Sequence, residues 1–430
     1  MKRREFLKST AVVGGALLGG LALERSVHAA SDDTLKIALI GCGGRGSGAV
    51  DQALTTKGKV KLVAMADAFP DCLTRSLKNL MEKNADKIDV PADRQFSGLD
   101  SYLHAIELAD VVILASPPGF RPIHFEAAVK AGKHVFMEKP VATDAPGIRQ
   151  VLAAAEIAKQ KNLKVGVGLQ RRHETGYLET IQRLHDGGIG DIIAMRAYWN
   201  GSNSRRYDRL PTDTEMQYQI RNWYHFTWLS GDHIVEQRVH NLDVINWIKQ
   251  SYPVSARGMG GRQVRVGPGH GDIFDHHAVE YEYADGSRML SECRQIPGCW
   301  NEVGEHALGT KGSADFRGQR FTIKGEKPWT FTKKSRTPYQ VEHDDLFDAI
   351  RNDKPYNEAE YGAKTTLTAI MGRMATHSGT IIEWDQALNS QLSIHPKDYT
   401  WDSQPVPQPD AHGLYPIPVP GDAAWLKRIV

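Results

Sequence analysis

The feature that most constrains the fold is a short apolar segment that runs directly into a glycine-rich turn. Residues 35–40 are mostly apolar, as in a buried parallel strand, and the sequence Gly-Cys-Gly-Gly-Arg-Gly follows at once. In such a turn the first glycine permits a tight bend, the second lets the backbone approach a pyrophosphate, and the third lets the next helix pack closely. The pattern predicts a phosphate-binding turn formed by Gly41, Gly43, Gly44, Arg45 and Gly46.

A second apolar segment, residues 60–66, ends at Asp67. An acidic residue about 20 positions after the glycine turn is where the ribose hydroxyls of a dinucleotide are bound, which favours NAD over NADP. The alternative interpretation of Asp67 is a helix cap.

Two further apolar segments have the character of buried strands. Residues 111–115 run into Ser116, and residues 134–137 run into Glu138 and Lys139. Ligands bind at the carboxyl ends of parallel strands, so we predict that these three residues face the cofactor. The fold class is therefore α/β, with an N-terminal doubly wound parallel sheet of the Rossmann type.

The chain length indicates more than one domain, because 430 residues exceed the size of an ordinary single core. We predict a Rossmann domain at 31–165, a second α/β domain at 166–385 and a C-terminal tail at 386–430. From residue 191 onward the segments are β-rich, at 192–199, 254–266, 277–283 and 288–296. The sequence Asp285-Gly286 predicts a tight hairpin between the last two, so this sheet should be mostly antiparallel.

The first 30 residues have the pattern of an export signal. Arg3 and Arg4 precede Phe-Leu-Lys, an apolar run spans 11–23, and small residues follow at 27–30. The paired arginines predict the twin-arginine route, which exports folded proteins, and hence a periplasmic or other extracytoplasmic location. An ordinary secretory leader and a membrane anchor are the alternatives, although the apolar run is short for a span, and we expect no stable membrane insertion after processing.

Charge and cysteine content narrow the possible partners. The formal net charge is only +2, which gives no reason to expect nucleic acid or an anionic membrane surface as partner. The four cysteines show no zinc-type spacing, and a Cys293–Cys299 disulfide remains open. A small molecule is the expected ligand.

The glycine turn, the strand ending at Asp67 and above all Glu138-Lys139-Pro140 resemble the Gfo/Idh/MocA oxidoreductase family. The resemblance extends from about residue 35 to 385, where Ile382-Glu383-Trp384-Asp385 is similar to the family's closing segment. It implies an NAD(P)-dependent oxidoreductase whose second domain carries a large open sheet, often used to form a homo-oligomer. It also implies that Lys139 is the catalytic lysine.

The segment from Gly231 to Asp243 is the second place where chemistry is expected. If it is helical, Asp232, Glu236 and His240 share one face. Family members commonly carry an acid four residues before a catalytic histidine, so the resemblance implies catalytic roles for His240 and Glu236, although aspartate is usual at the latter. A capped helix with a polar face, and a metal bound by Asp232, Glu236 and His240, are the alternatives. Hydride transfer requires no metal, and we expect none.

Substrate contacts are predicted from polar and aromatic residues near these positions. They are Arg172 after the strand at 164–169, Arg221 and Trp223 in a segment suited to stacking on a sugar face, and Asn241 beside His240. The alternative readings are a surface ion pair for Arg172 and a core position for Trp223. Asp275-His276-His277 is interpreted as a turn.

These expectations combine into an exported oxidoreductase that acts on a sugar or sugar derivative. Since NAD is scarce outside the cytoplasm, the cofactor should be tightly bound and recycled in place. The alternatives are an NAD-dependent glycoside hydrolase that oxidises its substrate transiently, and a non-catalytic sugar-binding protein.

Overall fold

The computed structural model of the chain describes residues 33–202 and 206–427, so the predicted leader lies outside the described residues. The strands are β1 (Leu35–Ile40), β2 (Val60–Asp67), β3 (Gln95–Ser97), β4 (Val111–Leu114), β5 (His134–Met137), β6 (Val165–Val167), β7 (Ile192–Gly201), β8 (Ser255–Gly261), β9 (His276–Glu282), β10 (Arg288–Gln295), β11 (Glu302–Gly309), β12 (Gly312–Arg317), β13 (Arg320–Gly325), β14 (Trp329–Thr330) and β15 (Ile382–Glu383). The α-helices are α1 (Gly44–Leu54), α2 (Pro70–Asn84), α3 (Ser101–Glu107), α4 (Arg121–Lys130), α5 (Ala145–Gln160), α6 (Thr175–His185), α7 (Glu215–Arg221), α8 (Thr227–Ser230), α9 (His233–Glu236), α10 (Val239–Lys249), α11 (Pro338–Arg351), α12 (Ala359–Ser378), α13 (Trp384–Asn389) and α14 (Ala423–Leu426).

The first sheet has six strands in the order β3-β2-β1-β4-β5-β6, all of them parallel. Its central strands are mostly apolar because helices cover both faces, and Ile37, Leu39 and Ile113 are fully buried. The strand order changes direction at β1, since β2 and β3 lie on one side of it and β4, β5 and β6 on the other. The carboxyl ends of β1, β4 and β5 therefore border one crevice. This confirms the predicted doubly wound sheet, and β6 carries it slightly past residue 165.

The second sheet has nine strands in the order β14-β13-β12-β11-β7-β10-β9-β8-β15. Its pairs are antiparallel except for β7 with β10, which are parallel. The predicted hairpin joins β9 to β10, with Gly286 at φ 82° as the turn requires. The predicted strand at 254–266 is shorter in the structure and ends at Gly261.

One face of this sheet is covered and the other is open. On the covered face, α12 packs against β8 and β9, and the inward residues Val279, Tyr281 and Met289 are buried. On the open face, Leu290 and Leu308 are exposed between charged neighbours. The structure therefore has the wide open sheet that the sequence predicted.

The last part of the chain returns to the Rossmann sheet. Helix α11 packs against α1, and the C-terminal segment crosses the start of α5, where His395 Nε2 lies 2.9 Å from Thr143 Oγ1. Farther along, Trp401 packs on Phe69, with 5.5 Å between ring centroids. The segment predicted as a tail is therefore packed onto the first domain.

The structure corrects one local prediction and answers one open question. The stretch from 232 to 243 is not one helix, because α9 ends at Glu236 and α10 begins at Val239. Cys293 and Cys299 form no disulfide, since one is buried, the other is exposed and both are free. No helix in the described part of the chain is long and apolar enough to cross a membrane.

Candidate active site

A cavity of about 1070 Å³ lies between the carboxyl edge of the Rossmann sheet and the second domain. Its volume reaches the upper end of the range of about 300–1,000 Å³ for small-molecule sites, so it has room for more than one ligand. Its wall contains the predicted residues Gly41, Gly43, Gly44, Arg45, Gly46, Asp67, Ser116, Glu138, Lys139, Arg221, Trp223, Glu236 and His240.

The glycine turn has the geometry of a phosphate-binding turn. Gly41 adopts φ +95°, and a Cβ atom there would lie 2.3 Å from Ser116 N, so only glycine fits. A Cβ on Gly46 would lie 2.1 Å from Gly41 O, whereas nothing lies within 4 Å of a Cβ on Gly43 or Gly44. The free N–H groups at the start of α1 therefore face open space in the cavity, where an anion is favoured.

Asp67 at the end of β2 is held in place by the backbone. Its Oδ2 accepts a hydrogen bond from Cys42 N at 2.7 Å, and its Oδ1 accepts one from Phe69 N at 2.9 Å. Burial raises the pKa of this carboxyl above its ordinary value. Each oxygen has a second lone pair, so the carboxylate can still accept hydrogen bonds from ribose hydroxyls.

Arg45 extends from the glycine turn to two acids beneath the cavity. Its guanidinium bonds Glu138 and lies 3.1 Å from Glu342 Oε1, and it stacks on Tyr339 at 4.7 Å. Burial and the nearby Glu138 raise the pKa of Glu342 well above its ordinary value, so Glu342 holds a proton more firmly than a solvated glutamate. Arg45 and Glu138 thus fix each other in the cavity wall.

Ser116, at the end of β4, contacts a second polar residue of the cavity wall. Its Oγ lies 3.0 Å from His124 Nδ1. Burial and the charge of Arg121 lower the pKa of His124 to about 3, so this ring is neutral. The pair offers hydrogen bonds to a ligand without adding charge.

Lys139 meets Glu236 across the boundary between the two domains. The Lys139 ammonium donates to Glu236 Oε1 at 2.8 Å and to Glu236 O at 2.7 Å. Both side chains are mostly buried, with 15% and 13% of their surface exposed. The lysine is therefore held at one place in the cavity by the short helix α9.

His240 lies on the same wall, at the start of α10. Its ring stacks on Trp199 with 5.9 Å between centroids, and its Nδ1 is buried without a hydrogen-bond partner in the described structure. Burial, followed by the charges of Lys139, Arg171 and Arg45, lowers the pKa of His240 well below its ordinary value. The imidazole is therefore neutral and has polar capacity to offer a ligand.

Two predicted substrate residues point elsewhere. Arg172 makes a bidentate ion pair with Asp243, with Nε at 2.9 Å and Nη2 at 2.8 Å, and lies over the ring of Tyr361 at 4.0 Å. Asn241 is fully buried and donates to Glu305 on β11. Neither residue lines this cavity. The predicted substrate contacts of Arg172 and Asn241 therefore stay predictions, and Arg172 is engaged in an ion pair with a buried carboxylate.

Arg221 lines the cavity, but at the end next to Asp67. Its Nη2 lies 3.1 Å from Asp71 Oδ1, and its guanidinium stacks on Phe69 at 3.9 Å. Trp401 packs on the same Phe69 ring, so two segments of the second half of the chain contact Phe69 at the end of the cavity next to Asp67. We call Arg221, Asp71, Phe69 and Trp401 the clasp. Trp223 also lines the cavity.

Several wall residues were not singled out from the sequence. They are Gln170, Trp199, Tyr207, Gln237 and Tyr339. Gln170 stands two positions before Arg172, the residue that the sequence analysis selected. Trp199 ends the predicted strand at 192–199, so the available signal for it was an aromatic residue at the end of a strand. The others come from loops and helices that show no pattern.

The predicted alternative metal set is not assembled. Glu236 is engaged by Lys139, and among the described residues the group with metal-ligand spacing is Asp232 with His277 and His377. His277, at the junction of the predicted turn and the predicted strand at 277–283, is buried in β9.

Comparison with known proteins agrees with this geometry. Residues 35–169 match the family model described as the oxidoreductase family with an NAD-binding Rossmann fold, GFO_IDH_MocA. An inositol 2-dehydrogenase of Agrobacterium fabrum is 28% identical over 254 residues, covering 59% of this chain and 65% of that protein. An inositol 2-dehydrogenase of Ralstonia nicotianae is 30% identical over 268 residues, covering 60% of this chain and 66% of that protein. The aligned part thus spans just under two thirds of these relatives.

Solved structures share the fold over a longer part of the chain. An aldose-aldose oxidoreductase of Caulobacter crescentus superimposes with a TM-score of 0.66 at 17% identity, covering 81% of this chain and 99% of that structure. A scyllo-inositol dehydrogenase of Lactobacillus casei gives a TM-score of 0.61 at 22% identity, covering 82% and 98%. The solved structures show the shared fold. The family-model match over residues 35–169, together with the inositol 2-dehydrogenase relatives, identifies the chain as a Gfo/Idh/MocA oxidoreductase.

Proposed function

We propose that this protein oxidises a secondary hydroxyl of a cyclic polyol or sugar, using a nicotinamide dinucleotide bound in the cavity. The observation that carries the proposal is the ion pair between Lys139 and Glu236 in the wall that also holds His240 and the glycine turn. Relatives named inositol 2-dehydrogenase support a hydroxyl of a cyclic polyol as the reacting group.

The cavity fits a dinucleotide. The turn at Gly43 and Gly44 leaves room for a pyrophosphate, and the Asp67 carboxylate is placed for ribose hydroxyls. A 2′-phosphate would lie against the negative charge of Asp67, which favours NAD over NADP. When bound, the nicotinamide accepts the hydride from the substrate carbon.

The side chains of the chain itself supply the proton chemistry. The Lys139 ammonium, held by Glu236, donates a hydrogen bond to the substrate oxygen and stabilises negative charge that develops on it. The neutral His240 receives the hydroxyl proton on a ring nitrogen. Lys139 and Glu236 bond each other directly, so Glu236 acts on the substrate by positioning the lysine.

The wall near Lys139 suits a polyhydroxylated ring. Trp199 and Trp223 offer apolar faces, while Gln170 and Gln237 offer amide donors and acceptors. An aromatic face pairs with the C–H side of a sugar ring while amides bond its hydroxyls. These residues support a sugar or sugar derivative as the substrate.

We further propose that the cofactor is retained and recycled within the site. The clasp closes the adenosine end of the cavity with an ion pair and a stacked guanidinium. The paired arginines of the leader support export of the folded, cofactor-loaded protein to the periplasm by the twin-arginine route. Fractionation of cells that produce the full chain, with and without Arg3 and Arg4 changed to lysine, tests the route.

The open face of the nine-stranded sheet supports assembly into a homo-oligomer. Leu290, Leu308 and Met259 are exposed there, and Met259 is 79% exposed. Light scattering of the purified protein tests this, and a monomer at micromolar concentration contradicts it.

Absorbance at the NADH band tests the main proposal. The purified protein, supplied with NAD, is mixed with myo-inositol and with a panel of aldoses and methyl glycosides. We expect NADH from at least one of them with wild type and a loss of about a hundredfold or more in Lys139→Ala. Lys130→Ala, an exposed lysine paired with Glu126 on α4, is the matched control. Equal rates in Lys139→Ala and wild type would remove Lys139 from the mechanism.

The same panel separates net oxidation from a redox-neutral reaction. An aryl glycoside that releases its aglycone without accumulating NADH indicates transient oxidation followed by reduction in the same site. A protein that binds sugar but neither releases aglycone nor forms NADH contradicts the enzymatic proposal.

A further inference from the structure

A sealed cluster of histidines and one aspartate lies beside the active site, with no part in the chemistry above. Asp232, His277 and His377 are 0%, 2% and 3% exposed, and each presents a ligand atom within 4.8 Å of the other two. They come from three different segments: the residue before α9, strand β9 and helix α12. The cluster therefore joins parts of the chain that are far apart in sequence.

The distances between the potential ligand atoms of the cluster match those between neighbouring ligand atoms around a metal ion. Asp232 Oδ2 lies 3.1 Å from His377 Nε2, and Asp232 Oδ1 lies 3.4 Å from His277 Nε2. Ligands about 2.0–2.1 Å from a tetrahedral zinc ion are about 3.3 Å apart. One aspartate and two imidazoles are also ordinary ligands for zinc.

The hydrogen bonds around His277 leave its Nε2, the ring nitrogen nearer Asp232, with a lone pair. Its Nδ1 lies 2.8 Å from Thr376 Oγ1, and that hydroxyl lies 3.1 Å from Gly372 O, to which it donates. The hydroxyl oxygen therefore accepts from His277 Nδ1–H, so a neutral His277 carries no proton on Nε2. In metal-binding histidines, the ring nitrogen that does not bind the metal usually donates to a neighbouring oxygen. That hydrogen bond, here from Nδ1, sets the orientation and tautomer of the ring.

His277 Nε2 has no hydrogen-bond partner in the described structure, although it faces the Asp232 carboxylate. A lone pair directed at a carboxylate is repelled by it unless a cation lies between them.

Asp232 also has a backbone conformation that L-residues rarely adopt, with φ 72° and ψ 161°. A residue stays in this region only when its surroundings hold it there, and such residues concentrate at binding sites. The conformation directs the Asp232 carboxylate toward His277 and His377 while its carbonyl receives the first hydrogen bond of α9 from Glu236 N at 2.9 Å. The cluster thus fixes the helical turn that carries Glu236 to Lys139.

We infer that Asp232, His277 and His377 bind one divalent transition-metal ion of the zinc class. The ion is structural, because none of its ligands lines the cavity where the substrate is proposed to bind. It holds α9, β9 and α12 together, and so sets the position of Glu236. The inference is independent of the sugar chemistry proposed above, because it concerns metal binding alone.

Metal content and cobalt spectroscopy test the site. The chain is purified without a polyhistidine tag, stripped with a soluble chelator, dialysed, and titrated with Co²⁺ alone. We expect one equivalent per chain to produce a visible d–d absorption of tetrahedral type, and added Zn²⁺ to abolish it. Wild-type protein that stays folded after stripping, yet binds neither Co²⁺ nor Zn²⁺, overturns the inference.

Matched variants locate the ion. His277→Gln and His377→Gln should each lose the absorption, whereas His276→Gln should keep it, because the adjacent His276 is 43% exposed and bonds Asp275 instead. If one of the two ligand variants fails to fold, the other and the wild-type titration still decide the question. Retention of the full cobalt signal in a folded His277→Gln protein overturns the assignment. We also expect Zn²⁺ to raise the Tm of wild type and of His276→Gln, and to leave that of the folded ligand variants unchanged.

Discussion

Lys139 Nζ lies 2.8 Å from Glu236 Oε1, and this ion pair joins the Rossmann sheet to the second domain inside the cavity. The ion pair thereby connects two residues that are 97 positions apart in the sequence. Lys139 follows β5, whose position is fixed by the parallel sheet, whereas Glu236 ends the short helix α9. The orientation of the Lys139 side chain therefore depends on both domains.

The first prediction concerns this ion pair. Glu236→Gln keeps the shape of the side chain but removes the charge-assisted hydrogen bond, so we expect kcat to fall about 10- to 100-fold, the effect of one such bond. Glu280→Gln, on the open face of the second sheet, should leave kcat unchanged. If Glu236 acts only in folding, Glu236→Gln will lower Tm without lowering kcat in the folded enzyme.

The second prediction is the pH dependence of activity. Burial and the charges of Lys139, Arg171 and Arg45 lower the pKa of His240 well below its ordinary value of 6.5. The ring is then already neutral at pH 6.5, and kcat/KM should hold steady as the pH falls to that value and decline only at more acidic pH. A decline centred at pH 6.5 or above would contradict a buried His240 as the proton acceptor.

The third prediction separates two glycines of the phosphate turn. A Cβ on Gly46 would lie 2.1 Å from Gly41 O, so Gly46→Ala should lower the Tm of the protein even without cofactor. A Cβ on Gly44 meets nothing within 4 Å but stands where the pyrophosphate approaches. Gly44→Ala should therefore keep its Tm and lose affinity for NAD, measured by calorimetry. Unchanged NAD affinity in Gly44→Ala would place the phosphates elsewhere.

The fourth prediction concerns cofactor retention. Arg221→Ala removes an ion pair with Asp71 and a stacking contact with Phe69, each worth up to about 1 kcal/mol, so NAD should dissociate about 3- to 10-fold faster. Arg288→Ala, an exposed arginine of the open sheet face, is the control. Stopped-flow fluorescence measures the rate, and equal rates in both variants would show that the clasp does not retain the cofactor.

The fifth prediction is a pH-dependent stability. Although burial opposes it, hydrogen bonds to Asp345 and Glu358 raise the pKa of the buried His173 from 6.5 to about 10. A histidine with a raised pKa stabilises the fold fully below pH 6.5 and loses this contribution as the pH rises toward about 10. We expect His173→Gln to lower the free energy of unfolding by about 3 kcal/mol at pH 6 and by much less at pH 9.5. A difference that does not change with pH would contradict the paired imidazolium.

The sequence predicted the Rossmann part of the site because its signals are local. The glycine turn needs only six neighbouring residues, and Asp67 and Lys139 each stand at the end of an apolar strand. Such strand ends meet at one edge of a parallel sheet, so position along the chain was enough to place them.

The sequence did not reveal side-chain partners that lie far along the chain. Arg172 was assigned to the substrate because a sequence shows its charge but not the Asp243 carboxylate that pairs with it. Asn241 follows His240, yet on a helix the next residue points about 100° away, and here it faces Glu305 in the sheet.

The break between α9 and α10 also has a cause that periodicity does not show. The fully buried Arg238 at this junction donates to the carbonyls of Ala197 and Glu292, at the centre of the second sheet. Because Asp232, Glu236 and His240 are regularly spaced, the sequence gives no sign of this change of direction. It also gives no sign that Asp232 lies close to His277 and His377.

The most direct test of the proposed activity follows the hydrogen itself. The NAD-loaded protein is incubated with myo-inositol and aldoses that carry deuterium on the ring carbons, then denatured, and the released cofactor is analysed by mass spectrometry. This detects hydride transfer when the reduced cofactor has been released or is still reduced in the site at the moment of denaturation, so the reaction is stopped within the first turnover. We predict deuterium in the nicotinamide ring with wild type and none with Lys139→Ala. Wild-type protein that holds NAD and transfers no deuterium from any of these substrates would contradict the account.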